Sequence, residues 1–337
     1  MRQKNVKILG TGVYLPKRIV TSKELDEKQG LPLGTVERTS GVVQRRYADI
    51  STESQSKMGA FAAMAALENA QMKYEDIDAI ISCGGSFEQP IPCTAALIQR
   101  ALGKEDSGTA CFDVNTTCLG FVNALDLVSC LIATKRYRNV LLIASEMASA
   151  GINESHLESF SLFGDGAVCA VVGPTPENET SKVLNAHLMT FSSGADYCSV
   201  KGGGTQLNVK QFKNLNDIPV EKFLFHMDGR KVFRAAAETI PKFVEKLLQP
   251  MQTTIQDFKW IIPHQASQSG MELVRRRLGV SPDHWVSIIE NHGNMIAASI
   301  PLALHIAIQD KRIQRGDRVL LIGTSAGLSI GGVALEY

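Results

Sequence analysis

The sequence has no long apolar run, no excess of charge and no closely paired cysteines. No stretch of about 18 residues is apolar without a charge, so no membrane-spanning helix is expected. The first residues, MRQKNVKILGTGVYLP, are basic but lack the apolar centre and small-residue cleavage site of an export signal. Lys and Arg number 35 against 34 Asp and Glu, a formal net charge of +1. No global field therefore points to nucleic acid or to an acidic membrane surface. Seven cysteines (83, 93, 111, 118, 130, 169 and 198) form no CxxC pair. That spacing excludes the usual zinc and dithiol motifs, and the odd number fits reduced thiols in a cytoplasm.

Hydrophobic residues make up 44% of 337, enough for a large core or two fused units. Segments of the chain match one another in order. EDIDAIISCGGS (75–86) matches QDFKWIIPHQAS (256–267), QRALG (99–103) matches RRRLG (275–279), and RNVLLIASEMAS (138–149) matches DRVLLIGTSAGLS (317–329). The offsets are 181, 176 and 179 residues. Within each half, buried strand patterns alternate with helical ones, such as 56–70 and 119–135, so the fold class is α/β with mostly parallel strands. Duplication predicts two similar sheets about a pseudo-twofold axis, an N-terminal half over 1–175 and a second over 176–337. The segment 176–225, with PTPENETS and a triple glycine, reads as a loop-rich connection.

Three residues fall where such a fold places chemistry, at strand ends. In CFDVNTTCLGF (111–121) a strand gives way to cap-type residues, and the helix is predicted to start near Cys118. A thiol there faces unpaired N–H groups and the positive end of the helix dipole, which lowers its pKa and suits a nucleophile. A buried, inert cysteine is the commoner use of the residue. His264 follows the apolar strand WIIP, and Asn294 lies in ENHGNMIAAS between the strand-like WVSII (285–289) and a helix. In repeat terms Asn294 is expected to take the place of Cys118. Taken singly, the histidine also fits a structural role, and the asparagine a helix cap. The glycine-rich GTSAGLSIGG (323–332) reads as the wall or oxyanion loop of an acyl site, and FGDGA (163–167) equally as a structural turn. Cys, His and Asn together suit acyl transfer through a thioester, with an enolate held by side-chain donors.

Together these segments resemble the β-ketoacyl-[acyl carrier protein] synthase III family of the thiolase superfamily. The likeness runs through ILGTGVYLP (8–16), FDVNTTCLGF (112–121), LFGDGA (162–167), HMDGRKVF (226–233), PHQAS (263–267) and HGNMIAAS (292–299). The resemblance implies a five-layered αβαβα fold and a homodimer in the cytoplasm, with no metal or bound cofactor. It implies that Cys118 takes an acyl group from a CoA or carrier-protein thioester. His264 and Asn294 would hold a malonyl thioester as it loses carbon dioxide, and the carbanion would attack acyl-Cys118. The backbone N–H groups of Cys118 and Ala326 would form the oxyanion hole, with Ser325 and Gly327 in the substrate-binding loop.

The sequence departs from the family where CoA is gripped. Thr35 stands near the place of an adenine-stacking tryptophan, Leu157 in place of an arginine, and Ser267 and Ser269 replace an asparagine and an arginine. Arg275, Arg276 and Arg277 form a basic cluster that would steer an acidic acyl carrier protein, or else a solvated helix face. Carrier-protein thioesters are therefore expected to be preferred over free CoA. The competing readings are acyl transfer or condensation without decarboxylation, for which Glu88 is the candidate base, a cysteine hydrolase, and a catalytically inactive partner subunit.

Overall fold

The computed structural model describes residues 3–337; Met1 and Arg2, which open the expected N-terminal half, lie outside it. The first sheet holds β1 (Val6–Tyr14), β2 (Ala79–Ser82), β3 (Ala110–Asp113), β4 (Val140–Glu146) and β5 (Gly166–Pro174), in the order β1-β5-β4-β2-β3. The second holds β6 (Lys182–Thr190), β7 (Trp260–Pro263), β8 (Arg318–Ser325) and β9 (Ser329–Glu336), in the order β7-β8-β9-β6. Pairing repeats between the sheets. Ala79 lies opposite Val140 across parallel β2 and β4, as Trp260 lies opposite Val319 across parallel β7 and β8. The segments matched by sequence are thus equivalent in register.

The strands are apolar on both faces because both faces are covered. In β4, Leu142 and Ala144 face the space between the sheets, while Leu141 and Ile143 face outward. In β8, Val319 and Leu321 face inward, and Leu320 and Ile322 outward. Helices α1 (Gln55–Ala70) and α2 (Thr94–Ala101) cover the outer face of the first sheet. Helices α3 (Gly120–Ala133) and α6 (Ser299–Gln309) fill the space between the sheets, and α4 (Gly229–Leu248) and α5 (Gln268–Arg277) cover the outer face of the second. The result is the expected αβαβα stack. Each apolar side chain so enclosed contributes about 1.5–3 kcal/mol of transfer free energy.

Two expectations need correction. The connection over 176–225 contains β6, whose edge position on the second sheet leaves polar residues among its apolar ones. Asn185, buried within it, donates to the Leu247 carbonyl at the end of α4 (2.6 Å). WVSII forms no extended strand. Trp285 makes a single parallel bridge to Ile261, Val286 donates to the Ile261 carbonyl at 3.0 Å, and the chain then coils into the short helix Ile289–His292. No helix among the described residues is long and apolar enough to cross a membrane.

Candidate active site

At the end of β3 the Asn115 Oδ1 accepts the Thr117 N–H (2.8 Å), and Thr117 turns into the left-handed region at φ +45°. Residues Thr117–Leu119 form one 3-10 turn, and α3 follows at Gly120. Cys118 therefore sits just ahead of α3, on the side where its N–H groups are unpaired. The second half repeats this construction. The Asn294 Oδ1 accepts the Ile296 N–H (2.9 Å), Ile296 has φ +47°, Ile296–Ala298 form a 3-10 turn, and α6 follows at Ser299. Asn294 is thus the counterpart of Asn115, and Ala297 that of Cys118. The expectation that Asn294 replaces Cys118 is off by three residues, because a 3-10 turn separates the capping amide from the helix in both halves.

The Asn294 backbone is clamped by the LFGDGA segment (162–167), donating to the Leu162 carbonyl (2.9 Å) and accepting from the Gly164 N–H (3.1 Å). Asp165 in that segment is a buried anchor, accepting from the N–H groups of Ala48 and Ser149 at 2.8 Å each. FGDGA is therefore a structural brace for Asn294. With Oδ1 occupied, the free polar function of the Asn294 side chain is its Nδ2 amide, a donor.

His264 follows β7 and is tied to β8 through its N–H, which donates to the Ile322 carbonyl (2.8 Å). Burial pushes its pKa down to about 4, so the imidazole is neutral at pH 7. Its Nδ1 has no hydrogen-bond partner among the described residues. Two close approaches gather the three elements. A Cβ on Gly323 would lie 2.6 Å from His264 Cβ and 3.3 Å from the side chain of Leu119, which follows Cys118. A Cβ on Gly85 would lie 2.7 Å from the Ile296 side chain and 3.0 Å from the Thr117 Cα. The Cys118 turn thus packs against both the His264 strand end and the Asn294 turn.

The lowered thiol pKa expected from the helix terminus is not what the resting site shows. Desolvation pushes the Cys118 thiol well up, and the nearby Cys198 and Glu146 add to it. The N–H groups of Cys118 itself and of Ala326 act in the opposite direction. Those two donors converge on the sulfur, where a bound carbonyl oxygen would also be placed. Ser325 does not face the site freely: its hydroxyl donates to the Thr116 carbonyl (2.7 Å) and pairs with the Thr117 hydroxyl. Gly327 follows in the same β8–β9 loop at φ +130°.

The remaining candidates are bonded as follows. Arg275 is half-buried and binds Glu272 and the Val280 carbonyl, while Arg276 and Arg277 are both exposed, Arg276 paired with Glu272 and Arg277 donating to the Ala237 carbonyl (2.9 Å). Glu88 accepts the Ser56 N–H (2.8 Å) at the start of α1. Sequence reasoning missed Cys198 and Glu146. The signal for Glu146 was there: a single acidic residue closing an otherwise apolar buried strand, in ASEMAS. No cluster of three metal-ligating side chains occurs among the described residues.

Comparison with known proteins places this geometry. The family "3-oxoacyl-[acyl-carrier-protein (ACP)] synthase III" matches residues 112–192, and its C-terminal companion matches 248–337. The first of these spans holds Cys118, and the second holds His264, Asn294 and Ala326. A β-ketoacyl-[acyl-carrier-protein] synthase III of Natranaerobius thermophilus is 32% identical over 338 residues, 99% of either chain. One from Caldanaerobacter subterraneus is 33% identical, over 98% of this chain and 97% of the relative. Among solved structures, the synthase III of Aquifex aeolicus superposes with a TM-score of 0.87 at 29% identity, covering 98% of this chain and 100% of that one. The priming β-ketosynthase of the R1128 polyketide pathway does so at 0.87 and 28%, covering 99% and 96%. Likeness at this level over nearly the whole of both chains, in sequence and in fold, leaves one assignment: the chain belongs to the β-ketoacyl-[acyl-carrier-protein] synthase III family of the thiolase superfamily.

Proposed function

We propose that the protein is a decarboxylative condensing acyltransferase, acting in fatty-acid initiation or a related acyl pathway, with Cys118 as nucleophile and His264 and Asn294 as the donors that hold the enolate. The observation that carries this reading is the pairing of a half-buried, desolvated and protonated thiol with a neutral imidazole packed against the same turn. A thiol of raised pKa needs a base, and an imidazole held neutral can accept its proton. The sulfur then attacks the carbonyl of an acyl thioester, whose oxygen takes the N–H groups of Cys118 and Ala326. The S–C bond of the donor breaks, and its thiol leaves with a proton.

In the second half-reaction a malonyl thioester loses carbon dioxide, and the bonding electrons pass to an enolate. The Asn294 amide and the neutral His264 ring stabilise that oxygen by hydrogen bonding, as preorganised donors that need no reorientation. The enolate carbon attacks the acyl group on Cys118, forming the new C–C bond and expelling the thiolate. Chemistry of this kind is supplied by the chain and its thioester substrates, without a resident metal or cofactor.

Carrier-protein thioesters are the preferred donors in this reading. Leu157, in place of an arginine, packs against the apolar cluster of Val20, Leu25, Val36 and Phe160. It offers no charge to a nucleotide, and each lost charge-assisted hydrogen bond costs about 1.5–3 kcal/mol of affinity. Of the three adjacent arginines, Arg276 and Arg277 are exposed toward an acidic partner, and Arg276 is already paired with Glu272. Docking through that face would therefore be modest in strength, and a homodimer is expected as the working form. The test is incubation with radiolabelled acyl thioesters followed by malonyl carrier protein. Wild-type protein should acquire label and release carbon dioxide, while Cys118→Ala acquires none. Equal labelling of the variant would remove Cys118 as the nucleophile. A higher kcat/KM with acyl-CoA than with the acyl carrier protein would overturn the donor preference.

A further inference from the structure

We propose that Glu146 is a positioning residue of this site, its carboxylate fixing the spacing between the Cys118 turn and the Asn294 turn. The proposal rests on the acyl-transfer reading above. Glu146 ends β4 at the inner edge of the first sheet and is fully buried. Its carboxylate accepts four donors. Gly85 N–H (2.6 Å), Ser86 N–H (3.0 Å) and the Ser86 hydroxyl (2.5 Å) come from the loop after β2, and Ala297 N–H (3.2 Å) comes from the other half of the molecule. Gly85 is the residue wedged between Thr117 and Ile296. Ala297 belongs to the turn that follows Asn294. One side chain therefore ties together the wedge and one of the two turns it separates.

A carboxylate is an expensive way to do this. No cation pairs with Glu146 among the described residues, and a buried ion without a partner is strongly disfavoured. Packing alone would be served by a neutral side chain, as at Ser325, which occupies the equivalent place in β8 and braces the Cys118 turn through the Thr116 carbonyl. An ionised carboxylate is the group that accepts from four donors at once without presenting a hydrogen of its own. The titratable groups facing it are the Cys83 thiol at the end of β2 and the Cys118 thiol, both of which its charge pushes up. Burial holds the Glu146 carboxyl up to about 7. Above that pH all four bonds form. Below it the acid hydrogen, on either oxygen, opposes the two donors that oxygen accepts, and the clamp loosens.

The experiment is the pH dependence of kcat for wild type, Glu146→Gln and Glu146→Asp between about pH 5.5 and 8.5, with melting curves alongside. Wild-type kcat should rise through an apparent pKa near 7. Glu146→Gln should lose that limb, and kcat at pH 8 should fall roughly tenfold to a hundredfold. A purely structural role would lower the melting temperature and leave the limb in place. Should the glutamine variant not fold, Glu146→Asp decides: a displaced limb and reduced kcat are expected, and an unchanged profile overturns the proposal. Alkylation of Cys118 by iodoacetamide, followed by mass spectrometry, needs no acyl donor. It should quicken severalfold in Glu146→Gln at pH 8, since the charge that holds the thiol protonated is gone. Unchanged alkylation and an unchanged limb would sink the idea. Glu146-dependent alkylation in a protein that no thioester acylates would instead sink the acyl-transfer reading and leave this one standing.

Discussion

Replacing Asn294 by aspartate should separate the two proposed half-reactions. The substitution keeps the shape of the side chain and the acceptor that holds the turn, because one carboxyl oxygen can still take the Ile296 N–H bonded now at 2.9 Å. The loss is confined to the Nδ2 donor. One preorganised donor to a developing oxyanion is worth roughly 2.7–4 kcal/mol, or about 10²–10³ in rate. A negative charge aimed at the enolate adds to that loss, so decarboxylation of the malonyl thioester should fall by roughly a thousandfold at pH 8. In the proposed mechanism acylation of Cys118 relies on the N–H groups of Cys118 and Ala326, so it should stay within about tenfold of wild type.

The pH dependence sharpens this expectation. Asn294 is 5% exposed, so a carboxyl placed there is desolvated and its pKa rises. As pH falls the new group takes up a proton and regains a donor, and the decarboxylation defect should shrink. Stopped assays of carbon dioxide release and of label on Cys118 read the two steps separately. Equal damage to both would refute the division of roles, and a defect that deepens as pH falls would refute the claim that donation is what was lost.

Gly85→Ala places a methyl 2.7 Å from the Ile296 side chain and 3.0 Å from the Thr117 Cα. The isoleucine can give but the backbone cannot, so we expect about 1–3 kcal/mol of destabilisation by denaturant titration, with a larger proportional loss in kcat than in kcat-independent acyl labelling. His264→Asn probes linkage. The folded pKa of about 4 lies below the ordinary 6.5, so the unfolded chain binds the proton first as pH falls and the native state loses stability between those values. At 1.36 kcal/mol per pH unit the full loss is roughly 3 kcal/mol. The variant lacks it, so its stability relative to wild type should improve from pH 7 to pH 4.5; a constant difference would contradict the burial of a neutral ring.

Much of this fold was legible because fully buried strands and their repeat offset carry strong signals. Ile80–Ile81 and Ile261–Ile262 are read correctly from the apolar runs, and the two segments fall into equivalent register. The strand Lys182–Thr190 was missed because an edge strand with exposed positions looks like its polar flanks. The thiol pKa was misjudged for a different reason: sequence shows a helix start, but not how dry the sulfur is, and desolvation outweighs the helix terminus. Arg275, Arg276 and Arg277 read as a basic patch, yet folding turns two of them toward backbone carbonyls and balances the third with Glu272. Pairwise satisfaction of this kind is set by tertiary contacts.

The duplication explains why one chain carries one site. Cys83 and His264 are equivalent, each donating its N–H at 2.8 Å to the corresponding isoleucine carbonyl, Ile143 or Ile322. Asn115 pairs with Asn294, Cys118 with Ala297, and Glu146 with Ser325. The paired asparagines build the same turn in both halves, and at the other three pairs the backbone position is shared while the side chains differ. The Cys118 thiol stands on the first half, and the His264 imidazole and the Asn294 amide stand on the second. Because α3 and α6 pack side by side, both helix starts face one point, and both bring the positive ends of their dipoles to it. In the proposed mechanism the reacting carbon would sit between a sulfur held on one half and donors held on the other, with Gly85 packed between the two turns.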